Sequence, residues 1–225
     1  MDGIIFLVFG EEFYKMAMKT ISYSRKYTDI PFKILTNIRI NEFDSIDNTR
    51  VEYMDMATRD NRQVKTTMIN YSPFDRTIYM DCDAIIQKKG IENVFDMLDN
   101  RDIMLNLYGI WRDSRQSLSY YRITMDRLRI NYPIEIYYGA IIGFNKTDAA
   151  KTFFSNWNNN WRKSGIRRDM PALACTIKKM PTLKIKKLYT KDNVFKWGKS
   201  NNAIIIHEQG NREKYWKNIL PGGIC

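Results

Sequence analysis

The chain has 225 residues, 44% hydrophobic and 27% charged, which fits one folded domain and excludes a disordered segment. Its 36 basic residues against 25 acidic ones leave a net charge of +11, which calls for an anionic partner such as a nucleic acid, a nucleotide diphosphate, an acidic membrane surface or an acidic glycan. Cys82, Cys175 and Cys225 are too few and too scattered for a disulfide framework or a cysteine metal cluster, and no apolar run reaches membrane length, so a cytoplasmic protein or a soluble part of a longer chain is expected.

Ile4–Phe9 is a continuous apolar run ending at Gly10, which reads as a buried strand. Glu11 to Arg25 then carries Phe13, Met16, Ile21 and Tyr23 at helical spacing. Strands are predicted at Phe32–Leu35, Val51–Met54, Thr77–Met80 and Ile103–Leu107, with helices at Gln63–Tyr71 and Val94–Leu98 between them. This alternation implies parallel strands with helices on both faces. The segment Tyr108–Pro133 mixes aromatic residues with five arginines and reads as an acceptor-side insertion or a helical lid, with a helix over Ser117–Arg129. A strand at Ile134–Phe144 and helices at Thr147–Trp161 and Met170–Lys178 follow. Trp157 and Trp161 are four apart on a helix and read as core. Strands at Leu183–Leu188 and Ala203–Ile206 and a helix at Asn211–Ile219 complete a single α/β domain over residues 1–225. The stretch Lys178–Lys199 holds eight lysines and one aspartate, a solvated basic face or a contact for an acidic acceptor or membrane headgroups.

Two features carry chemistry. Asp81 and Asp83 follow the buried strand at Thr77–Met80, and open parallel sheets bind ligands beyond the carboxyl ends of their strands. Extended backbone would place both carboxylates on one face and turn Cys82 into the core. Two converging carboxylates need a cation between them, or one must take up a proton, and hard oxygen donors suit magnesium or manganese. An exposed acidic turn is the plain alternative. His207, the single histidine, also stands at a strand end, as a metal ligand or as a surface or core histidine with a satisfied hydrogen bond. Gly210 and Lys214 follow it, a close backbone approach and a point charge suited to a phosphate.

These residues resemble glycosyltransferase family 8, the glycogenin and lipopolysaccharide galactosyltransferase type. The resembling segments run in the family's order: Lys65 through Asp83, Tyr138-Gly-Ala-Ile-Ile-Gly-Phe-Asn-Lys, Asp169-Met-Pro-Ala-Leu, and His207-Glu-Gln-Gly-Asn-Arg-Glu-Lys-Tyr-Trp. The resemblance implies a GT-A fold, Rossmann-like with a mixed central sheet. It also implies a manganese or magnesium ion on Asp81, Asp83 and His207. A nucleotide-sugar donor, UDP-sugar by family, would lie near Phe9, Gly10, Asn37, Lys65, Asp81, Cys82, Gly139, Gly210 and Lys214. Asp169 would reach the transferred sugar. A glycan or glycoconjugate acceptor and retention of the anomeric configuration are further implications, while peripheral membrane contact is an expectation from the lysine-rich stretch 178–199 alone. Nucleic acid is not an expected partner.

The sequence departs from the family around the sugar. Met170 replaces glutamine, Tyr137 and Tyr138 stand where asparagine and a small residue are usual, Tyr215 replaces proline, and one extra residue precedes Lys214. Asp169 also reads as a helix N-cap ahead of Pro171, and Lys65 as a solvated helix lysine. A metal-dependent nucleic-acid enzyme or binder and a non-catalytic nucleotide-sugar-binding module remain as other readings of the same charge and carboxylates.

Overall fold

The computed structural model describes residues 1–39, 41–197 and 200–207. The predicted helix at Asn211–Ile219, with Gly210 and Lys214, lies outside them. In chain order the elements are β1 (Asp2–Val8), α1 (Glu11–Ser24), β2 (Phe32–Thr36), β3 (Thr49–Tyr53), α2 (Asn61–Thr66), β4 (Arg76–Met80), β5 (Ala84–Ile86) and α3 (Ile91–Asp96). There follow β6 (Ile103–Trp111), α4 (Ser119–Leu128), β7 (Ile134–Asn145), α5 (Asp148–Ser164), α6 (Met170–Lys179), β8 (Ile185–Leu188), β9 (Phe195–Trp197) and β10 (Ile205–His207).

Seven strands form one sheet in the order β3-β2-β1-β4-β7-β6-β8. The first four are parallel, as the alternation implies. β7 enters antiparallel to both β4 and β6, so the sheet is mixed. Side chains alternate across it. Ile4, Phe6 and Val8 of β1 join α1 and α3 in one core, while Ile5 and Leu7 join α2, α5 and α6 in the other. α5 starts at Thr147, whose hydroxyl accepts from the Ala150 N–H at 3.1 Å, and stops at Gly165 in the left-handed region. Its Phe153, Phe154 and Trp157 are fully buried, and truncating Trp157 to alanine would cost about 3–5 kcal/mol.

Four differences from the sequence reading have physical causes. The helix expected over Gln63–Tyr71 ends at Thr66, because the Thr66 and Thr67 hydroxyls both bond back to the Gln63 carbonyl, and a 3-10 turn at Met68–Asn70 follows. The segment read as an insertion begins as strand: β6 runs on to Trp111 against Ile134 of β7, and only then does α4 form. Two three-residue strands, β5 and β9, are too short to show a pattern, yet with β10 they make a second sheet in the order β5-β10-β9. The last expected strand shifts so that His207 lies within it. Among the described residues no helix is long and apolar enough to cross a membrane.

Candidate active site

Asp81 directly follows β4, and its N–H donates to the Ala140 carbonyl of β7 at 2.9 Å. The chain does not continue extended through Asp83. The Ala84 N–H donates to the Asp81 carbonyl at 2.9 Å, closing a turn. This turn, rather than the two-residue period of a strand, brings the two carboxylates together. β5 then pairs antiparallel with β10, with Ala84 opposite His207. That register sets His207 Nε2 at 2.8 Å from Asp83 Oδ1 and 3.9 Å from Asp81 Oδ2. One donor atom from each of Asp81, Asp83 and His207 lies within 4.8 Å of the others.

Two carboxylates and an imidazole are a hard, mixed donor set suited to manganese or magnesium. Ligand atoms around such an ion stand about 3–4 Å apart, so the cluster fits a divalent cation with little contraction. His207 is 3% exposed, which keeps one side of the cluster dry.

Behind Asp81 lies a buried charge network. Lys65 of α2 is 7% exposed, which removes the reading of a solvated helix lysine. Its Nζ stands 3.0 Å from Asp81 Oδ1, 3.7 Å from Asp169 Oδ2 and 4.7 Å from the centre of the Tyr79 ring. The Tyr79 hydroxyl also donates to Asp81 Oδ1. Burial, reinforced by the Asp81 charge, holds the Tyr79 phenol well above its ordinary pKa, so it stays a neutral donor. Burial alone would raise the Asp81 carboxyl, but Lys65, His207 and the bond from Tyr79 outweigh it and hold the group below its ordinary value.

Asp169 precedes α6 without capping it through its side chain. Its backbone carbonyl accepts from Trp157 Nε1 at 3.1 Å, and its carboxylate turns to Lys65 and to Arg62 Nε at 3.6 Å. Gly139 lies beside this pair. A Cβ there would sit 3.5 Å from Lys65 Nζ and 3.9 Å from Asp169 Oδ2, so the glycine keeps that space open.

Gly10 has φ 95, which favours glycine, and its N–H donates to Asn37 Oδ1 at 2.9 Å. The Asn37 amide nitrogen donates to the Met56 carbonyl at 3.0 Å and to Thr58 Oγ1 at 3.2 Å. Asn37 thus ties three loops together at the ends of β1, β2 and β3. The Phe9 side chain is 1% exposed, because an aromatic ring at a strand end is drawn into the core below. Cys82 also turns away, donating to the Leu7 carbonyl at 3.0 Å while its own carbonyl accepts from Thr20 Oγ1 at 2.6 Å. Burial pushes its thiol well above the ordinary value, so it carries no nucleophilic thiolate.

The sequence reading missed Tyr79, Arg62 and Phe195 beside His207. Tyr79 is two residues before Asp81 on a strand, and Arg62 three before Lys65 on a helix, spacings that place each pair on one face. From His207 a chain of rings leads outward, Phe195 at 6.1 Å, then Tyr138 at 6.2 Å and Tyr108 at 5.0 Å between centroids. Tyr108 is 57% exposed. Nothing local marks this chain of rings, since it joins four strands, β10, β9, β7 and β6.

With this geometry the chain superposes on known structures over nearly its whole length. Mouse xyloside xylosyltransferase 1 matches with a TM-score of 0.60 at 10% identity, covering 94% of this chain and 98% of that one. The galactosyltransferase LgtC, in a complex with donor and acceptor sugar analogues, matches with a TM-score of 0.57 at 12% identity, covering 94% and 88%. The bifunctional glycosyltransferase WbbM matches with a TM-score of 0.64 at 10% identity, covering 93% of this chain and 46% of that one. The fold is the GT-A fold of glycosyltransferases. No protein-family model and no curated protein matches the chain, so the likeness is carried by the fold. On this GT-A scaffold the acidic pair occupies the carboxyl end of β4, beside the antiparallel β7, where such a sheet places its ligand.

Proposed function

We propose that this protein is a metal-dependent glycosyltransferase that moves a sugar from a nucleotide-diphosphate donor, a UDP-sugar by resemblance, to a hydroxyl of a glycan or glycoconjugate. The observation that supports it most is the meeting of Asp81, Asp83 and His207 at the carboxyl end of β4 on a GT-A fold.

Asp81, Asp83 and His207 would hold manganese or magnesium, which when bound supplies a Lewis acid that neutralises charge on the departing nucleotide diphosphate. Lys65 fixes the Asp81 carboxylate from behind, so that its other oxygen is presented forward. Asp169 is aimed by Lys65 and Arg62 toward the space that Gly139 leaves open, where it can accept hydrogen bonds from sugar hydroxyls. Asn37 holds the Gly10 loop in shape for the nucleoside. Gly210 and Lys214 would add an N–H and a positive charge at the diphosphate. Tyr108 and Tyr138 offer ring faces to an incoming acceptor.

The purified protein, incubated with manganese and a panel of nucleotide sugars, should release nucleoside diphosphate slowly from one of them without any acceptor. The release should stop with EDTA and in Asp83→Ala. No release from any donor, with no donor binding by calorimetry, would refute the reading.

A further inference from the structure

Besides the lysine-rich stretch 178–199, positive charge gathers in a second region. Five arginines lie between Arg112 and Arg129, and four basic residues between Arg162 and Arg168, against only Asp113 and Asp126. These two stretches together carry a net charge of +7, as much as the stretch 178–199. The fold joins them. Arg127 Nη1 donates to the Ser164 carbonyl, and the Arg168 guanidinium lies 4.6 Å from the centre of the Tyr120 ring. Arg122 Nη1 donates to the Ser117 carbonyl at 2.6 Å. Such bonds to neutral carbonyls fix a guanidinium without cancelling its charge.

The same region exposes apolar side chains. Of the seven exposed large hydrophobic residues among the described ones, four lie between positions 108 and 123: Tyr108, Ile110, Leu118 and Ile123. Leu118 is 51% and Ile123 41% exposed, at the start and middle of α4, whose opposite side is buried through Tyr121, Met125 and Leu128. Aliphatic side chains set among arginines on an outer helix face meet two demands at once. Guanidinium groups bind phosphates, and the aliphatic groups leave water only if the partner offers hydrocarbon. A nucleic acid or an acidic polysaccharide satisfies the first demand alone.

We propose that the α4 face and the adjoining end of α5 dock this protein on an anionic phospholipid bilayer, with Leu118 and Ile123 entering the interface between headgroups and acyl chains. Arg168, which packs on Tyr120 of α4, directly precedes Asp169, so the docked face is joined along the chain to the candidate active site. The proposal does not depend on the transfer chemistry.

The test is sedimentation of the full chain with vesicles of phosphatidylcholine alone, or of phosphatidylcholine mixed with phosphatidylglycerol. Binding is expected on the mixed vesicles only, weakening with added salt. Arg122→Gln and Arg129→Gln should each weaken it about five-fold, the share of one basic residue at an anionic surface. The pair Leu118→Ser and Ile123→Ser should weaken it at least about ten-fold. Both serines are structurally mild: position 118 is the N-cap of α4, where serine is favoured, and position 123 faces solvent. An unchanged melting temperature will confirm that the variants fold. No binding to mixed vesicles overturns the proposal. Normal binding by the serine variant also overturns it, and with effective competition by duplex DNA it would make nucleic acid the partner.

Discussion

Replacing Lys65 by methionine tests the charge network directly. The ammonium is the cation closest to Asp81, at 3.0 Å, and it also faces Asp169 at 3.7 Å. Removing one partner of a fully buried ion pair costs about 3–5 kcal/mol. Two features lower the figure here. The Asp81 side chain is 31% exposed, and Arg62 still faces Asp169 at 3.6 Å. A loss of about 2 kcal/mol follows, or roughly 4–8 °C in melting temperature for a chain of this size. Manganese should recover part of it. With Lys65 gone, a divalent ion is the remaining cation beside Asp81, and each ten-fold gain in metal affinity adds about 1.4 kcal/mol at saturation. Acid should also close the gap. The Asp81 carboxyl is held below its ordinary value, so its pairing contributes above the unfolded value near pH 4 and is lost as the pH falls through the lowered one. The assay is thermal denaturation of wild type and variant in EDTA and in manganese, at neutral and acid pH. Equal melting temperatures in EDTA, with equal gains from manganese, would refute the coupling of Lys65 to Asp81.

Three further outcomes are expected. Asn37→Asp loses the amide donor to the Met56 carbonyl and sets a carboxylate against it, so the variant should lose about 1 kcal/mol by chemical denaturation and bind donor more weakly in calorimetry. Burial raises the Glu135 carboxyl, but Lys187 and the Tyr137 hydroxyl bind it and hold it below its ordinary value. Its stabilising effect is complete above that ordinary value and is lost as the pH falls through the lowered one, so Lys187→Met should flatten the acid limb of a stability-pH profile. Gly3→Ala would place a methyl 2.3 Å from three carbons of the buried Phe74 ring, and overpacking of about 1–3 kcal/mol should appear in its melting curve.

The long apolar and amphipathic segments were legible because their periods are local. β1, α1, β4 and α5 fall within two or three residues of the predicted ranges. What escaped was set by contacts between distant segments. Asp169 shows how the two levels interact: by sequence it is equally a helix cap and a sugar contact. Only the arrival of Lys65 and Arg62 from α2 draws its carboxylate off the helix end and into the site. Phe9 shows a related competition, its ring being 1% exposed at the end of β1. A strand end adjacent to a ligand site is also the edge of the core, and burial draws an aromatic ring there inward.

The second sheet shows why a lone histidine can be aimed so closely. β10 has only three residues, and a slip of one residue against β5 would turn His207 away and present Ile206 to the carboxylates. The strand's own hydrogen bonds do not forbid this, since every register offers the same backbone groups. The apolar residues do. Ile206 packs with Ile85, Ala203 and Tyr23 in a small separate cluster, and Ile205 is buried in the main core on the opposite face. Moving Ile206 to the acidic side would empty the first cluster and bury an isoleucine beside Asp81 and Asp83. The register that brings Nε2 to 2.8 Å from Asp83 is therefore fixed by isoleucines that touch no ligand. The run Ala-Ile-Ile-Ile before His207 acts as the key that aligns the imidazole with the two carboxylates.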